Sequence, residues 1–410
     1  MRKLFTLGLA LVLVSVIATP ALADGWKRID APEHFTDRNG IERSPSCSGG
    51  PVPVPGALPD QANTDYAFFV RPGDPRRLAI FFDGGGACWD KNTCLGTALL
   101  GSSVYTQEID ETVEALNASP GLADASNPGN PIGEYTQVYI PYCTGDLHTG
   151  SNDQGYTLET DLGPLDWTIR HRGADNVAFV LDWLAKRYGK LGYPPSKVFL
   201  SGASAGGYGV TYHYPAIARM LPWYTRTRVL VDAANGVITD DFYNRTLTPD
   251  GVWGVWENLA PELQSAFSSG ADQITVELFK SLAWNYPGAR FGQYTTAFDE
   301  VQIGFFNLAR NTDRPDLWED PNELALSAFE WTIRARTYMN LVAFQTWNYR
   351  YYIAAGGDHT VVGSDKFYTE DSAAGVPLVD WVDDMINRRW LWWGSDWRNV
   401  SCTPDCLELD

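Results

Sequence analysis

Positive charge is scarce in this chain. Its 410 residues carry 31 Lys and Arg against 50 Asp and Glu, a formal net charge of −19. A surface that acidic repels nucleic acid backbones and anionic membranes, so no nucleic acid partner is expected. Histidine is scarcer still, at five residues, and any chemistry that needs an imidazole base has few candidates. The six cysteines form no C-x-x-C pair, and no His-x-x-x-His spacing accompanies them, which argues against a zinc or dithiol redox centre. No internal repeat and no low-complexity linker cuts the chain in two. With 20% charged and 44% hydrophobic residues, it is not a disordered chain.

What is present begins with an export signal. Met1-Arg2-Lys3 is basic, Leu4 to Ala18 is apolar, and Ala21-Leu22-Ala23 is a small-x-small cleavage site ahead of Asp24. The pattern predicts a signal peptide over 1–23. Its removal deletes two basic residues and no acidic one, which takes the charge from −19 to −21. No later apolar run reaches the roughly 20 residues of a membrane span. The expected product is secreted or periplasmic, with no membrane span after signal removal. Cysteines in an oxidising compartment are expected as disulfides. Close spacing joins Cys88 to Cys94 and Cys402 to Cys406, which leaves Cys47 for Cys143.

Residues 24–65 are rich in Pro, Gly and Ser and read as an irregular N-terminal arm. Leu78 to Phe82, Gln137 to Ile140, Lys197 to Leu200, Arg228 to Val231 and Tyr349 to Ala355 read as strands, the first a continuous apolar run suited to burial on both faces. Ala174 to Tyr188 carries Val177, Val180, Leu181 and Leu184 at helical spacing. Such alternation predicts an α/β domain over 66–410, with a mostly parallel central sheet covered by helices on both faces. The helix- and Trp-rich span 239–345 is expected to contain an insertion over the sheet. The chain's 16 Trp residues could line sugar-binding surfaces, but core and interface roles are the commoner use.

Chemistry concentrates at three places. Gly202-Ala203-Ser204-Ala205-Gly206 follows the strand 197–200 and fits G-x-S-x-G, a tight turn that lifts a serine hydroxyl above a sheet edge. Serine needs a base to take its proton. His359, in Gly356-Gly357-Asp358-His359-Thr360 beyond the last strand, fits the chain order Ser, acid, His. His34 lies in the arm and His171 at a basic-flanked helix start; His213, on the helix after the elbow, reads as a packing residue. His148, in a Gly-containing loop after a strand, is a candidate substrate contact together with Asp146 and Trp89. For the acid, Asp232, Asp240, Asp241, Asp272, Asp299, Asp313 and Asp316 all lie between Ser204 and His359, and spacing does not choose among them. The third place is Asp83-Gly84-Gly85-Gly86-Ala87-Cys88-Trp89, whose glycines can aim N–H groups at a forming oxyanion alongside the Ala205 N–H. It lacks the Lys-Ser/Thr ending of a phosphate-binding loop.

These segments, with Tyr142-Cys143-Thr144-Gly145-Asp146 and Phe298-Asp299-Glu300-Val301-Gln302, occur in the order that resembles the pectin acetylesterase/Notum family of carboxylesterases, over roughly Leu78 to Asp380. The resemblance implies an α/β-hydrolase fold and ester deacylation by a Ser-Asp-His triad. Its Phe/Tyr-Asp-x-x-Gln motif selects Asp299 as the acid, its oxyanion loop maps onto Gly85, Gly86 and Ala205, and its disulfide pattern looks like the pairing above. The chain departs from that pattern in Gly86-Ala87, where bulky aromatic residues usually precede the cysteine, and in Gly-Asp-His-Thr, where plant members carry a cysteine beside the histidine. The expected function is a secreted serine carboxylesterase acting on acyl esters, acetyl foremost, of a small molecule or polysaccharide, with no cofactor or metal. A lipid esterase or polyester depolymerase on the same triad, and a catalytically silent sugar-binding protein, are the alternatives.

Overall fold

The run Leu78–Phe82 shows why the centre of the molecule is a sheet. Leu78, Ile80 and Phe82 pack into one apolar cluster and Ala79 and Phe81 into another. Successive side chains of a strand point to opposite faces, so a run apolar at every position needs cover on both. The computed structural model, which describes residues 25–49, 64–95, 104–109, 111–160, 163–388 and 394–407, provides that cover. The expected signal peptide and most of the Pro-rich stretch of the arm lie outside the described residues.

Thirteen strands are described: β1 Lys27–Asp30, β2 Phe35–Thr36, β3 Glu42–Arg43, β4 Ala67–Arg71, β5 Asp74–Phe82, β6 Tyr135–Ile140, β7 Asn152–Thr160, β8 Gly163–His171, β9 Lys197–Ala203, β10 Arg226–Asp232, β11 Arg290–Thr296, β12 Tyr349–Ala354 and β13 Val400–Ser401. Nine form one sheet in the order β1-β4-β6-β5-β9-β10-β11-β12-β13. From β6 to β13 every pairing is parallel, and β4 and β1 close one edge antiparallel. Six helices of ten or more residues are described: α1 Gly173–Tyr188, α2 Ala205–Met220, α3 Ile274–Asn285, α4 Glu300–Arg310, α5 Pro321–Gln345 and α6 Leu378–Asn387. Val177 of α1, Val210 of α2 and Leu282 of α3 cover one face of the sheet, and Trp381 and Met385 of α6 the other.

The chain order reverses between β5 and β9, because β5 and β6 are laid down on one side and β9 to β12 on the other. Loops leaving such neighbouring strands diverge and open a crevice at their C-terminal ends. The Gly84–Gly86 loop leaves β5 and the Ser204 turn leaves β9, so both border this crevice.

Three sequence expectations change. Part of the arm is not irregular: β1 pairs with β4 along Lys27–Asp30, and Trp26 is buried against Phe69 and Leu116. The span 239–345, read as helix-rich with no strand, supplies a central one: β11 runs through the sheet between β10 and β12. Its polar side chains are satisfied in place: Gln293 donates to the Ala234 carbonyl and accepts from the Tyr349 hydroxyl. His171 ends β8 instead of starting a helix; it is buried, with Nδ1 2.9 Å from the Thr144 carbonyl oxygen. The disulfides are Cys47–Cys143, Cys88–Cys94 and Cys402–Cys406, the pairing the spacing suggested. Cys47–Cys143, 96 residues apart, tethers the arm to the loop after β6; a loop that long makes the cross-link worth about 4–5 kcal/mol in chain entropy. No helix among the described residues is long and apolar enough to cross a membrane.

Candidate active site

Ser204 stands between β9 and α2 with φ 52° and ψ −123°. A non-glycine residue there costs roughly 1–3 kcal/mol, and its surroundings hold it. The Ser204 N–H donates to the Asp232 carbonyl at 2.8 Å, and the Gly207 N–H to the Ser204 carbonyl at 2.9 Å. A Cβ at Gly202 would lie 2.1 Å from the Gly206 carbonyl oxygen, and one at Gly206 2.1 Å from that of Phe82. The two glycines flanking the serine are therefore required by backbone contact alone.

His359 lies just beyond β12. Its Nδ1 is 2.9 and 3.0 Å from the two carboxylate oxygens of Asp299, while its Nε2 is buried without a hydrogen-bond partner. Asp299 is fully buried and caps α4, accepting the Gln302 N–H at 2.9 Å. Gln302 Nε2 donates to the second Asp299 oxygen at 2.9 Å, and Gln302 Oε1 accepts the Asn235 N–H at 2.8 Å. N–H donors at a helix N-terminus fix the orientation of the carboxylate they hold. That is the physical content of the Asp-x-x-Gln spacing.

Asp232, one of the open candidates for the acid, does something else. Its carboxylate accepts the Val361 and Val362 N–H groups at 2.7 and 2.9 Å, while its own carbonyl holds Ser204. One residue thus ties the serine turn to the segment after His359. Burial pushes the Asp232 carboxyl up to about 6. Sequence reasoning had no signal for this role.

In the glycine loop, Gly85 and Gly86 have φ of 147° and 73°. A Cβ at Gly86 would lie 2.1 Å from the Val104 carbonyl oxygen. The Gly84 N–H is taken by Asp83 Oδ1 at 2.9 Å. Among the described residues, the Gly85 and Gly86 N–H groups have no backbone acceptor. Ala205 is the first residue of α2, so its N–H has no partner within its helix.

Ser204, Ala205, Gly86 and His359 line a cavity of about 1040 Å³, its open mouth included. Its wall is aromatic and aliphatic, with Trp89, Tyr212, Val237, Phe242, Phe306 and Trp331 among its residues. Ala87 contributes only a methyl group where bulkier residues were expected. Of the candidate substrate contacts, only Trp89 borders this cavity. Asp146 and His148 are 0% and 1% exposed and belong to the scaffold. Asp146 accepts from the Thr144 hydroxyl and from the Gly150 and Gly173 N–H groups. His148 Nε2 donates to the Asp83 carbonyl, and His213 Nε2 to the His148 carbonyl, at 2.9 and 2.7 Å. Burial lowers His148 to about 4 and His213 to about 3, so both are neutral at pH 7. Cys88, Cys94 and His171 also cluster, but the two sulfurs are joined to each other.

Comparison with known proteins bears on this arrangement. Residues 65–250 match the family model described as pectinacetylesterase. The palmitoleoyl-protein carboxylesterase NOTUM of Schmidtea mediterranea is 25% identical over 169 residues, 40% of this chain. The match spans 29% of that relative's own length. Among solved structures, the Wnt deacylase Notum from Drosophila superposes with a TM-score of 0.50 at 18% identity, covering 82% of this chain and 87% of that one. The last likeness is one of fold, which is that of the α/β-hydrolases.

Proposed function

We propose that this chain, whose residues 65–250 match the pectinacetylesterase family model, is an exported serine carboxylesterase of the pectinacetylesterase/Notum kind. The observation that carries this reading is the His359–Asp299 pair, with Nε2 unspent beside the cavity that Ser204 lines. His359 Nε2 takes the Ser204 proton as Oγ attacks the ester carbonyl. Asp299 keeps Nδ1 protonated and stabilises the imidazolium. The Gly85, Gly86 and Ala205 N–H groups receive the oxyanion, each such donor being worth about 3 kcal/mol in the transition state. His359 then protonates the leaving alcohol, and a water it activates releases the acid. In sites of this kind the hydrogen bond between serine and Nε2 commonly tightens only as substrate docks. The three disulfides and the N-terminal pattern support an extracytoplasmic site of action.

The cavity wall favours a second refinement: a fatty-acyl ester over an acetyl ester. Each methylene buried contributes about 0.8 kcal/mol, and an acetyl group would leave most of this apolar space empty. A palmitoleoyl ester, named for the planarian relative, has the right character. Labelling with an organophosphonate tests the nucleophile. Ser204 is expected to be modified and Ser204→Ala to lose both label and turnover; unlabelled wild type would leave the silent sugar-binding protein. Rates on acetyl, butyryl and decanoyl p-nitrophenyl esters test the acyl group, and a preference for acetyl would return the acetylesterase reading.

A further inference from the structure

Ser204 and His359 also border a second cleft, which meets the apolar cavity at Gly86, Val301 and Phe305. If the ester-hydrolase reading holds and the acyl chain fills the apolar side, the alcohol half of the ester occupies this one. Its chemistry differs. Asp83, half-buried at the end of β5, lines it together with Tyr139, Ser201 and Thr360. Glu111 and the Tyr139 hydroxyl both hydrogen-bond the Asp83 carboxyl, and that hydroxyl lies 3.4 Å from Glu111 Oε1. Two carboxyl groups in hydrogen-bond contact share a proton and keep one negative charge between them. Ser201 Oγ, also in the lining, is buried without a hydrogen-bond partner, a polar group left for an occupant.

No Lys or Arg lines this cleft among the described residues. Lys366, next to Asp358, is paired with Asp358 at 2.8 Å and Glu370 at 3.9 Å. The arginines gather elsewhere: Arg226, Arg228 and Arg290 stand at the N-terminal ends of β10 and β11, the opposite edge of the sheet, around a cavity shared with Arg388. The charge of the leaving-group side is thus fixed by Asp83 and Glu111 within an already acidic protein.

We infer that the cleft selects esters of cationic or neutral alcohols and rejects anionic ones, uronate sugars included. Pectin-type galacturonates are then poor substrates even where their acyl group fits. A matched series isolates the charge: octanoyl esters of choline, of its neutral isostere 3,3-dimethylbutanol, and of isethionate. Relative to their hydrolysis by hydroxide, kcat/KM is expected to fall in that order, by about tenfold from first to last at low ionic strength, and the spread to shrink with added salt. Asp83→Asn alone leaves Glu111 to carry the pair's single charge, so the test removes both carboxyls: Asp83→Asn with Glu111→Gln is expected to compress the ratio, whatever it does to the absolute rate through the glycine loop. Equal turnover of the three esters by wild type overturns the inference and leaves the esterase intact. So does a ratio unmoved by both salt and the double variant. No turnover of any ester overturns the esterase reading and the inference with it. Should the double variant fail to fold, the salt dependence of the wild-type ratio decides alone.

Discussion

Two histidine–aspartate associations lie within this sheet's upper edge, and they are built to opposite specifications. His359 and Asp299 meet side chain to side chain, 60 residues apart in sequence, and leave Nε2 free beside a cavity. His148 and Asp146 are two residues apart, and the backbone consumes them: the Asp146 carboxylate takes three N–H groups and a hydroxyl, and His148 Nε2 is spent on a carbonyl. Both carboxylates are fully buried and both pairs lie near the glycine loop. The difference is that the first holds an atom in reserve. Buried polar groups are normally satisfied, so an unsatisfied imidazole nitrogen at a cavity wall marks chemistry, and a fully bonded one marks architecture.

The comparison breaks most visibly by removing a carboxylate from each side. Asp299→Asn is expected to lower kcat by about 10³–10⁴-fold, because the amide favours the wrong imidazole tautomer, while circular dichroism and the thermal midpoint stay near wild type. Asp146→Ala is expected to do the reverse. It strands four buried donors and costs about 3–5 kcal/mol of stability, with kcat of the folded protein within about tenfold of wild type. If Asp146→Ala abolished turnover in a fully folded protein, the loop would be part of the site after all.

The same contrast explains what could be read from the sequence. Strands β5, β9 and β10 were legible because burial on both faces forces an apolar run. The central strand β11 was not, because Gln293, Thr295 and Thr296 enter the core already hydrogen-bonded, and composition does not display a satisfied polar group. The serine turn was legible because its glycines answer to local backbone contacts. The acid was not legible from spacing: Asp232 and Asp299 are both buried, and only the fold decides which faces an imidazole and which faces two N–H groups. His148 and Asp146 look like site residues in sequence because a Gly-containing loop after a strand is where sites occur. What it cannot display is that Gly209 brings α2 against the His148 ring, where a Cβ would lie 2.8 Å away.

Acid sharpens the comparison without mutation. His148, His171 and His213 are lowered by burial to about 4, 4 and 3, against about 6.5 in the unfolded chain. The unfolded state therefore binds more protons, and stability is lost as pH falls below about 6.5. Asp146 and Asp232, raised by burial to about 6, act oppositely: protonation relieves a burial cost as pH falls through that value. Asp83 is raised by burial as well, so the carboxyls offset part of the imidazole loss, and a fall in stability from pH 7 to pH 4.5 is the expected net direction. Denaturant midpoints across that range check it. A midpoint that rises on acidification would mean the scaffold histidines are not buried neutral.

The smallest expected effect tests whether the pairing of His359 with Asp299 depends on its own support. Gln302 donates to Asp299 from both its backbone and its side chain, and its amide also reaches Asn235 and Thr295. Gln302→Leu keeps the backbone donor and the side chain's approximate volume but removes the amide. Asp299 then loses one of the contacts that fix its plane, and a carboxylate free to rotate holds the imidazole less well. Loss of a hydrogen bond to a charged group is worth about 1.5–3 kcal/mol, which predicts a fall in kcat of about 10- to 100-fold. KM is expected within a few-fold of wild type. A change confined to KM would mean that Gln302, which also borders the apolar cavity, serves the acyl chain instead of the acid.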